Sequence, residues 1–581
     1  MTLLATPLDR RQRLVGTTVL LGVMGLLLGL GGRLVHLQVT HRSRLLSHAD
    51  QQQSSDSVIP ARRGIIFDVR GRVVAITRRI ADVFVDPAMT DDVEALAREV
   101  APRVSLSPQD ILEEIHRKPK SRFVVLARGV DDVSAEAVSA MKHPAVGLSF
   151  RSHRYYPLGA SMAHVLGWVG TDGEGLAGVE LSLDKHLRGR DGRRSTIRDA
   201  RRRAVRRAGG EPIAPVDGGH VVLTIDAEIQ RMVEGALKQG VEHVEAQSGV
   251  AIVMSPDTGD ILAMACYPTF DSNQPFRPAE SDLRRNRAVT DPVEPGSTFK
   301  PIIVAGALDG GFVTRTEKID CHNGRHYFGK RLMTDTKPSG LLDIRGIVAK
   351  SSNIGMGTIA TRMGNEKLYV TVTAFGFGTP TRIELPGEGA GIVMPLKRWT
   401  SYSTTSIPIG YEILVTPLQL LNAFTAIING GVLIQPRLVR AKLAPDSTPL
   451  ESNESPQLVR RVVTSDTARF ITHDLMAAVV EEGGAKKAQV GPYQVVGKTG
   501  TAKLTYPDRR GFEPGAYLSL FVGAAPADDP RIVVLTIIRR ANPAIAYYGG
   551  QVSAPVVGEI IARALAYLQV PPDKEAVSLG L

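Results

Sequence analysis

A serine and a lysine three residues apart, Ser297 and Lys300, lie near the middle of this 581-residue chain. If they begin a helix, residues i and i+3 share one face, so the hydroxyl and the amine can meet. Pro295 and Gly296 suit the preceding turn, and a helix N-terminus offers unpaired N–H groups. Ser297 is therefore a candidate nucleophile, with Lys300 as its base and a backbone N–H to bind an oxyanion.

The Ser-x-x-Lys spacing also occurs at residues 139–142 and 182–185, where an ordinary pair on a helix surface is the simpler interpretation. Ser297 differs because two further motifs follow it in order. Ser351-Ser352-Asn353 is the only Ser-x-Asn in the sequence, and Lys498-Thr499-Gly500 is the only Lys-Thr-Gly. The ordered triple is the serine acyl-transfer set of penicillin-binding proteins and class A β-lactamases.

The chemistry predicted from these residues is covalent acyl transfer. Ser297 attacks a peptide carbonyl and becomes an acyl-ester. Burial and the proximity of Lys498 favour the neutral amine of Lys300 that a base requires. Ser351 can relay a proton to the leaving amine, and Asn353 can hold Lys300 or the substrate amide.

The Lys-Thr-Gly motif also predicts where the substrate binds. Residues 498–501 are expected to form an edge strand that accepts an extended substrate by strand addition. Gly500 lets the backbone approach closely, while Lys498, Thr499 and Thr501 suit a terminal carboxylate. The N–H groups of Ser297 and Thr501 would form the oxyanion hole, and losing one such donor typically costs ~10²–10³ in rate.

The elements that must position these motifs predict an α+β fold with one antiparallel sheet and helices packed on it. In order they are a helix capped by Asp226, strands over 250–254 and 261–265, a mainly helical block to about residue 430, strands near 495–496, 517–521 and 532–536, and a last helix from Ser553 to about Leu568.

An apolar run over residues 14–32 carries no charge, and arginines at positions 10, 11 and 13 precede it. At ~1.5 Å per residue it spans ~30 Å of hydrocarbon. More arginines precede the run than follow it, which places the N-terminus in the cytoplasm. Because no Ala-x-Ala site follows, an uncleaved anchor is favoured over a signal peptide.

The chain is therefore predicted to comprise a cytoplasmic tail (1–13), a transmembrane anchor (14–32), an elongated β-rich region (33–220), a catalytic domain (221–568) and a C-terminal tail (569–581). The basic stretch from Arg188 to Gly219 is either a hairpin or a linker.

The composition excludes several function classes. The net charge is +11, but neither aromatic interleaving nor zinc spacing accompanies the arginines, so we expect membrane lipid or an anionic polymer rather than nucleic acid. Residues 491–499 are one residue too long for a Walker A loop, and no metal-binding spacing occurs. We expect neither a cofactor nor a metal, and we expect the two cysteines, Cys266 and Cys321, to be unpaired.

The sequence resembles the class B penicillin-binding proteins, and most of all the division-specific, FtsI-type peptidoglycan D,D-transpeptidases. The resemblance covers roughly residues 59–568, and its motifs lie at 63–64, 68, 71, 154–157, 175–180, 285–291, 294–301, 350–355, 415–420, 498–502, 548–550 and 554–555. One departure is Glu412, where related enzymes usually carry glycine.

This resemblance implies a single-pass inner-membrane protein whose residues 33–220 form a non-catalytic pedestal (dimerisation) domain and whose transpeptidase domain is periplasmic. The enzyme would cross-link peptidoglycan stem peptides at the division septum, releasing a terminal D-Ala, and β-lactams would acylate Ser297. A polytopic septal glycosyltransferase and other division proteins are the implied partners.

Three alternatives remain beside the septal enzyme. An elongation-type class B transpeptidase is disfavoured because Glu294 precedes Pro-Gly-Ser, where elongation enzymes tend to have proline. A D,D-carboxypeptidase or β-lactamase is disfavoured by the large region between anchor and catalytic domain. A β-lactam sensor is disfavoured because the chain has one predicted span and about 13 cytoplasmic residues.

Overall fold

The computed structural model describes residues 9–39, 42, 54–118, 120–198, 204–207, 212–274, 276–489, 491–506 and 508–573. The predicted terminal tails lie mostly outside these ranges. Two compact units are present: residues 1–61 with 190–216, and residues 62–189 with 217–581.

The helices, numbered in chain order, are α1 (Arg10–Val39), α2 (Val93–Val104), α3 (Pro108–Arg117), α4 (Asp132–Ala140), α5 (Ala163–Leu166), α6 (Gly178–Ser182), α7 (Asp184–Leu187), α8 (Ala227–His243), α9 (Arg287–Thr290), α10 (Lys300–Asp309), α11 (Ile344–Ala349), α12 (Asn353–Ala374), α13 (Ser403–Ser406), α14 (Pro417–Ile428), α15 (Ser465–Phe470), α16 (Ala477–Glu481) and α17 (Gly549–Tyr567). A 3₁₀ turn (Gly296–Phe299) precedes α10, and a π-helical turn (Ile471–Met476) joins α15 to α16.

The strands are β1 (Ser54–Ile59), β2 (Ile66–Phe67), β3 (Val73–Val85), β4 (Val124–Val130), β5 (Val146–Tyr155), β6 (Gly192–Arg198), β7 (Ala204–Arg207), β8 (His220–Leu223), β9 (Ser248–Met254), β10 (Ile261–Tyr267), β11 (Lys318–Asp320), β12 (Arg325–Phe328), β13 (Arg331–Thr334), β14 (Leu341–Asp343), β15 (Ile392–Val393), β16 (Ile413–Leu414), β17 (Val432–Ile434), β18 (Val439–Leu443), β19 (Pro449–Ser452), β20 (Leu458–Arg461), β21 (Val496–Thr505), β22 (Phe512–Ala525) and β23 (Ile532–Arg539).

The first unit contains α1 and a three-stranded antiparallel sheet in the order β1-β6-β7. Within the described ranges, α1 is the one helix long and apolar enough to cross a membrane, with a mean hydropathy of 2.1 over its most apolar window. It extends past residue 32 to Val39. Because β6 pairs with β7, the basic stretch takes the hairpin alternative.

The N-terminal part of the second unit is organised around a buried carboxylate. Glu180 is fully buried and pairs with Arg63 and with Arg154, each at 2.6 Å. Arg63 also pairs with Asp184 at 2.6 Å. Because a buried charge is costly unless it is paired and hydrogen-bonded, these two arginines are what makes Glu180 tolerable in the core.

The sheet that carries the predicted catalytic strand has the order β10-β9-β23-β22-β21 and is antiparallel throughout. Every residue of β9 is buried, so helices cover both faces of the sheet. Helices α8 and α17 pack against each other and against the sheet, while α14 contacts β9 and β23. The predicted α+β fold is confirmed, and Asp226 caps α8 by accepting from the Glu228 N–H at 2.9 Å.

One sequence prediction of an element boundary was wrong, and a second prediction was incomplete. The last helix begins at Gly549 rather than Ser553, because the Gly549 N–H, an unpaired first-turn donor, bonds to Thr501 Oγ1 at 3.0 Å. The block predicted to be mainly helical also contains six short strands, β11 to β16. These strands have two to four residues each, which is too short for an alternating pattern to be visible.

Candidate active site

The nucleophile candidate lies on a turn that is held by backbone contacts. Ser297 is half-buried in the 3₁₀ turn, and the Gly296 N–H donates to Gly410 O at 3.2 Å. A Cβ on Gly410 would lie 2.1 Å from Gly296 O, so only glycine allows the two backbones to approach this closely. The turn before α10 is thereby fixed from behind.

The Lys300 amine is fully buried and has three acceptors. It donates to Ser351 O at 2.6 Å, to Ser351 Oγ at 3.0 Å and to Asn353 Oδ1 at 2.9 Å. In the part of the chain that the structure describes, no hydrogen bond joins it to Ser297. The direct pairing expected from the i, i+3 spacing is therefore replaced by contacts with the Ser-Ser-Asn loop, because that loop supplies three acceptors.

Ser351 lies between the two predicted catalytic lysines. Its Oγ is 3.0 Å from Lys300 Nζ and 3.4 Å from Lys498 Nζ. Its backbone is left-handed, with φ of 58°, a conformation that is costly for a residue with a side chain. A hydroxyl that both accepts and donates can pass a proton between two amines.

Burial shifts the protonation of both amines. It is the largest cause of the low pKa of Lys300, which lies well below 10.5; repulsion by Lys498 adds to this and Asp335 opposes it. Burial also lowers the pKa of Lys498 to about 7. The shift at Lys300 is in the direction that favours the neutral amine, the form that a general base needs.

Asp335 is a site residue that the sequence reasoning missed. Its carboxylate accepts from Ser352 Oγ at 2.5 Å, from the Asn353 N–H at 2.5 Å and from the Ile354 N–H at 3.1 Å. The Asn353 side chain is fixed from both ends, since its Nδ2 donates to Thr334 O at 3.0 Å. Asp335 therefore positions the start of α12, and with it the loop that contacts Lys300.

Strand β21 lies at the edge of its sheet and carries the Lys-Thr-Gly motif. A Cβ on Gly500 would lie 2.9 Å from Pro295 O, so the glycine lets the strand run against the nucleophile turn. Lys498 and Gly500 are buried, whereas Thr499 and Thr501 are half-buried, as alternation along a strand requires. The structure thus brings all the predicted site residues together: Ser297, Lys300, Ser351, Asn353, Lys498, Thr499, Gly500 and Thr501.

Two carboxylates approach each other at the other end of this region. The Glu412 N–H donates to Glu294 Oε1 at 3.3 Å, and Ser403 Oγ donates to Glu412 Oε2 at 2.6 Å. Burial first, and the charge of Glu412 as well, raise the pKa of Glu294 to about 7. Glu412 has φ of 58°, which explains why glycine suits this position better.

Neither metal ligation nor a disulfide is visible in the described ranges. They contain no group of three or more His, Cys, Asp or Glu side chains that could hold a metal ion. Cys266 and Cys321 are both free and buried.

Comparison with known proteins gives consistent matches along the chain. Residues 249–562 match the family described as the penicillin binding protein transpeptidase domain. Residues 58–223 match the penicillin-binding protein dimerisation domain.

Relatives and solved structures match most of the chain. A probable peptidoglycan D,D-transpeptidase, PenA, of Neisseria meningitidis is 33% identical over 96% of this chain and 93% of its own length. The peptidoglycan D,D-transpeptidase FtsI of Escherichia coli is 31% identical over 93% of this chain and 90% of its own. The crystal structure of penicillin binding protein 3 from Mycobacterium tuberculosis with aztreonam aligns with a TM-score of 0.69 and 27% identity, covering 90% of this chain and 99% of that one.

Proposed function

Because this chain belongs to the class B penicillin-binding proteins and is a serine-type peptidoglycan D,D-transpeptidase, we propose that Ser297 carries the acyl group and that the enzyme acts at the division septum. The observation that supports this site most strongly is the Ser351 hydroxyl, which lies 3.0 Å and 3.4 Å from two buried lysine amines beside the Ser297 turn.

In the proposed acylation step the Ser297 hydroxyl gives its proton to the neutral amine of Lys300. Ser297 Oγ then attacks the carbonyl of the penultimate D-Ala, and the N–H groups of Ser297 and Thr501 hold the resulting oxyanion. Ser351 passes the proton to the leaving amine of the terminal D-Ala. Lys498 compensates the negative charge of the oxyanion and of the substrate carboxylate.

In the second step the acceptor amine of another stem peptide attacks the acyl-ester. Its proton returns through Lys300 or Ser351 to Ser297 Oγ, which leaves as the new peptide bond forms. A β-lactam follows only the first step, since its amide carbonyl acylates Ser297 and the enzyme remains blocked. Thr499, Gly500 and Thr501 bind the extended substrate along the edge of β21.

Labelling of the full-length protein with fluorescent penicillin tests the nucleophile. Wild type should label, and Ser297→Ala should not. Ser139→Ala is the matched control, because Ser139 belongs to another Ser-x-x-Lys run, on α4, and should label fully. Residual labelling of Ser297→Ala, at a rate close to that of wild type, would show that another residue is the nucleophile.

The septal role is supported by the 31% identity to an FtsI enzyme and by Glu294 in front of the Pro-Gly-Ser turn. Depletion in the source cell followed by microscopy distinguishes septal from elongation enzymes. Filamentous cells are expected, whereas rounded cells would assign the enzyme to elongation instead.

In the described part of the chain one helix could cross a membrane, which is the form of a single-pass membrane protein. We propose that its N-terminus is cytoplasmic and that the pedestal (33–220) and transpeptidase (221–568) domains lie on the periplasmic side of the inner membrane, because arginines at positions 10, 11 and 13 precede the apolar run. A polytopic septal glycosyltransferase and other division proteins are the proposed partners.

A further inference from the structure

A cavity of about 560 Å³ lies directly beside the site and has charges of both signs in its lining. Its acidic part is formed by Glu294 and Glu412, and its basic part includes Lys503, Arg539 and Arg540. Small-molecule sites typically have volumes of ~300–1,000 Å³, so this cavity has room for an amino-acid-sized group.

The floor of the cavity is continuous with the substrate-binding strand. Ala502, Leu518 and Arg539 are directly opposite one another on β21, β22 and β23, so their side chains share one face of the sheet. Ala502 follows Thr501 in the chain, and the cavity lining continues to Thr505. At ~3.3 Å per residue along a strand, the cavity begins within one residue of the proposed oxyanion donor.

Among the described residues, four charged groups of the lining make no ion pair: Glu294, Glu412, Lys503 and Arg539. Arg540 pairs with Glu513 through both carboxylate oxygens, at 2.6 Å and 2.7 Å. Arg539, in contrast, makes no ion pair within the described ranges, and its nearby acid, Asp291, is already paired with Arg285 and Arg287. Glu294 likewise makes no ion pair there; its Oε1 accepts from the backbone N–H of Glu412, and the negative charge of Glu412 acts on it as well.

This lining fits a ligand that carries both charges. An ammonium between Glu294 and Glu412 would relieve their mutual repulsion, and a carboxylate can take a bidentate pair from the planar Arg539 guanidinium. A ligand with an ammonium alone would leave Arg539 unpaired, and one with a carboxylate alone would leave the two glutamates unpaired.

We propose that this cavity is a subsite for an amino-acid end that bears a free ammonium and a free carboxylate, with the ammonium at Glu294 and Glu412 and the carboxylate at Arg539. The inference deepens the proposed function and rests on it. Two sources have this chemistry: the side-chain end of a diamino acid within a stem peptide, and a free amino acid.

The test compares two donor peptides that end in D-Ala-D-Ala and differ in one side chain, which is either meso-diaminopimelate (ammonium and carboxylate) or lysine (ammonium alone). The measured quantity is the ratio of kcat/KM for D-Ala release from the two peptides by the full-length enzyme. Free meso-diaminopimelate tests the second source, a free amino acid. It is added as a competitor in the peptide assay, and its binding to the enzyme is measured by calorimetry. Penicillin labelling of each preparation shows independently whether Ser297 reacts.

Wild type should prefer the diaminopimelate peptide, and Arg539→Gln should lower that preference about ten- to a hundredfold, the usual effect of losing a charged hydrogen bond. Arg563→Gln, an arginine on α17 paired with Glu559, is the matched control and should keep the preference. Because the measured quantity is the ratio of kcat/KM for the two peptides, a smaller fraction of folded enzyme lowers both values equally and leaves the ratio unchanged.

A second outcome would also support the subsite: wild type binds free meso-diaminopimelate but shows no preference between the peptides, and Arg539→Gln loses this binding. That result would assign the subsite to free amino acids. Equal ratios in wild type and Arg539→Gln, together with no binding of the free amino acid, would overturn the proposal. If penicillin labels Ser297 normally in that case, the subsite fails while the proposed function stands.

Discussion

Replacing Lys498 by methionine should make the enzyme inactive and, at neutral and acidic pH, more stable. The side chain is 1% exposed, and burial lowers its pKa from 10.5 to about 7. At ~1.36 kcal/mol per pH unit, this difference corresponds to roughly 5 kcal/mol of unfavourable free energy for the charged form. Methionine fills a similar volume and carries no charge, so it removes this cost.

The sign of the pH dependence follows from proton binding. Between pH 7 and 10.5 the unfolded chain keeps a proton on Lys498 that the folded chain has released, so wild-type stability rises with pH in this window. From pH 7 to 9.5, wild type should gain roughly 3 kcal/mol relative to Lys498→Met. The variant also removes the repulsion by Lys498 that lowers the pKa of Lys300. The stability of wild type therefore rises further with pH relative to that of Lys498→Met.

Urea unfolding of the full-length protein at several pH values measures this effect. The two tryptophans, Trp168 and Trp399, both lie in the second unit and report its unfolding by fluorescence. Lys238→Met, at an exposed position on α8, is the control and should show no such trend. A stability difference between Lys498→Met and wild type that does not change from pH 7 to 9.5 would refute the reasoning.

Three further variants test other parts of the structure. Asp335→Asn should slow penicillin acylation and lower stability by about 0.5–2 kcal/mol, the usual range for a lost helix cap; unchanged acylation in stopped-flow would show that Asp335 does not position the loop. Glu412→Gly should raise the melting temperature, since it relieves a left-handed residue by ~1 kcal/mol. Wild-type stability should also fall as pH rises from 4.5 to about 7, because folded Glu294 holds a proton that the unfolded chain releases, and this fall should be smaller in Glu412→Gly. Glu180→Gln should destabilise the protein by ~3–5 kcal/mol, because it leaves Arg63 and Arg154 buried without a full counter-charge; urea unfolding close to that of wild type would contradict this.

Short-range patterns in the sequence predict much of the fold and the motif positions. The two strands β9 and β10 were predictable because each has apolar residues in one run, separated by a Pro-Asp-Thr-Gly turn. The Asp226 cap was predictable because capping depends on a residue and its next turn alone. The motif order likewise indicated that Ser297, Ser351 and Lys498 act together, although they are far apart in the chain.

Contacts across the fold are what the sequence could not predict. Asp335 lies 18 residues before Asn353 and belongs to no motif, so its contact with that loop appears only in the structure. Glu294 and Glu412 are 118 residues apart, and no short-range pattern in the sequence predicts that they lie together. The left-handed conformation of Ser351 is likewise not encoded by residue type, because serine does not favour it.

Two glycines lie against the main chain of the nucleophile turn, and this limits how the enzyme could acquire resistance to covalent inhibitors. Gly410 would place a Cβ 2.1 Å from Gly296 O, and Gly500 would place one 2.9 Å from Pro295 O. Any side chain at these glycines would displace the Ser297 turn. The substitution would therefore abolish transpeptidation together with the reaction of Ser297 with the inhibitor. Resistant variants should therefore arise at positions that already carry a side chain, such as Glu412.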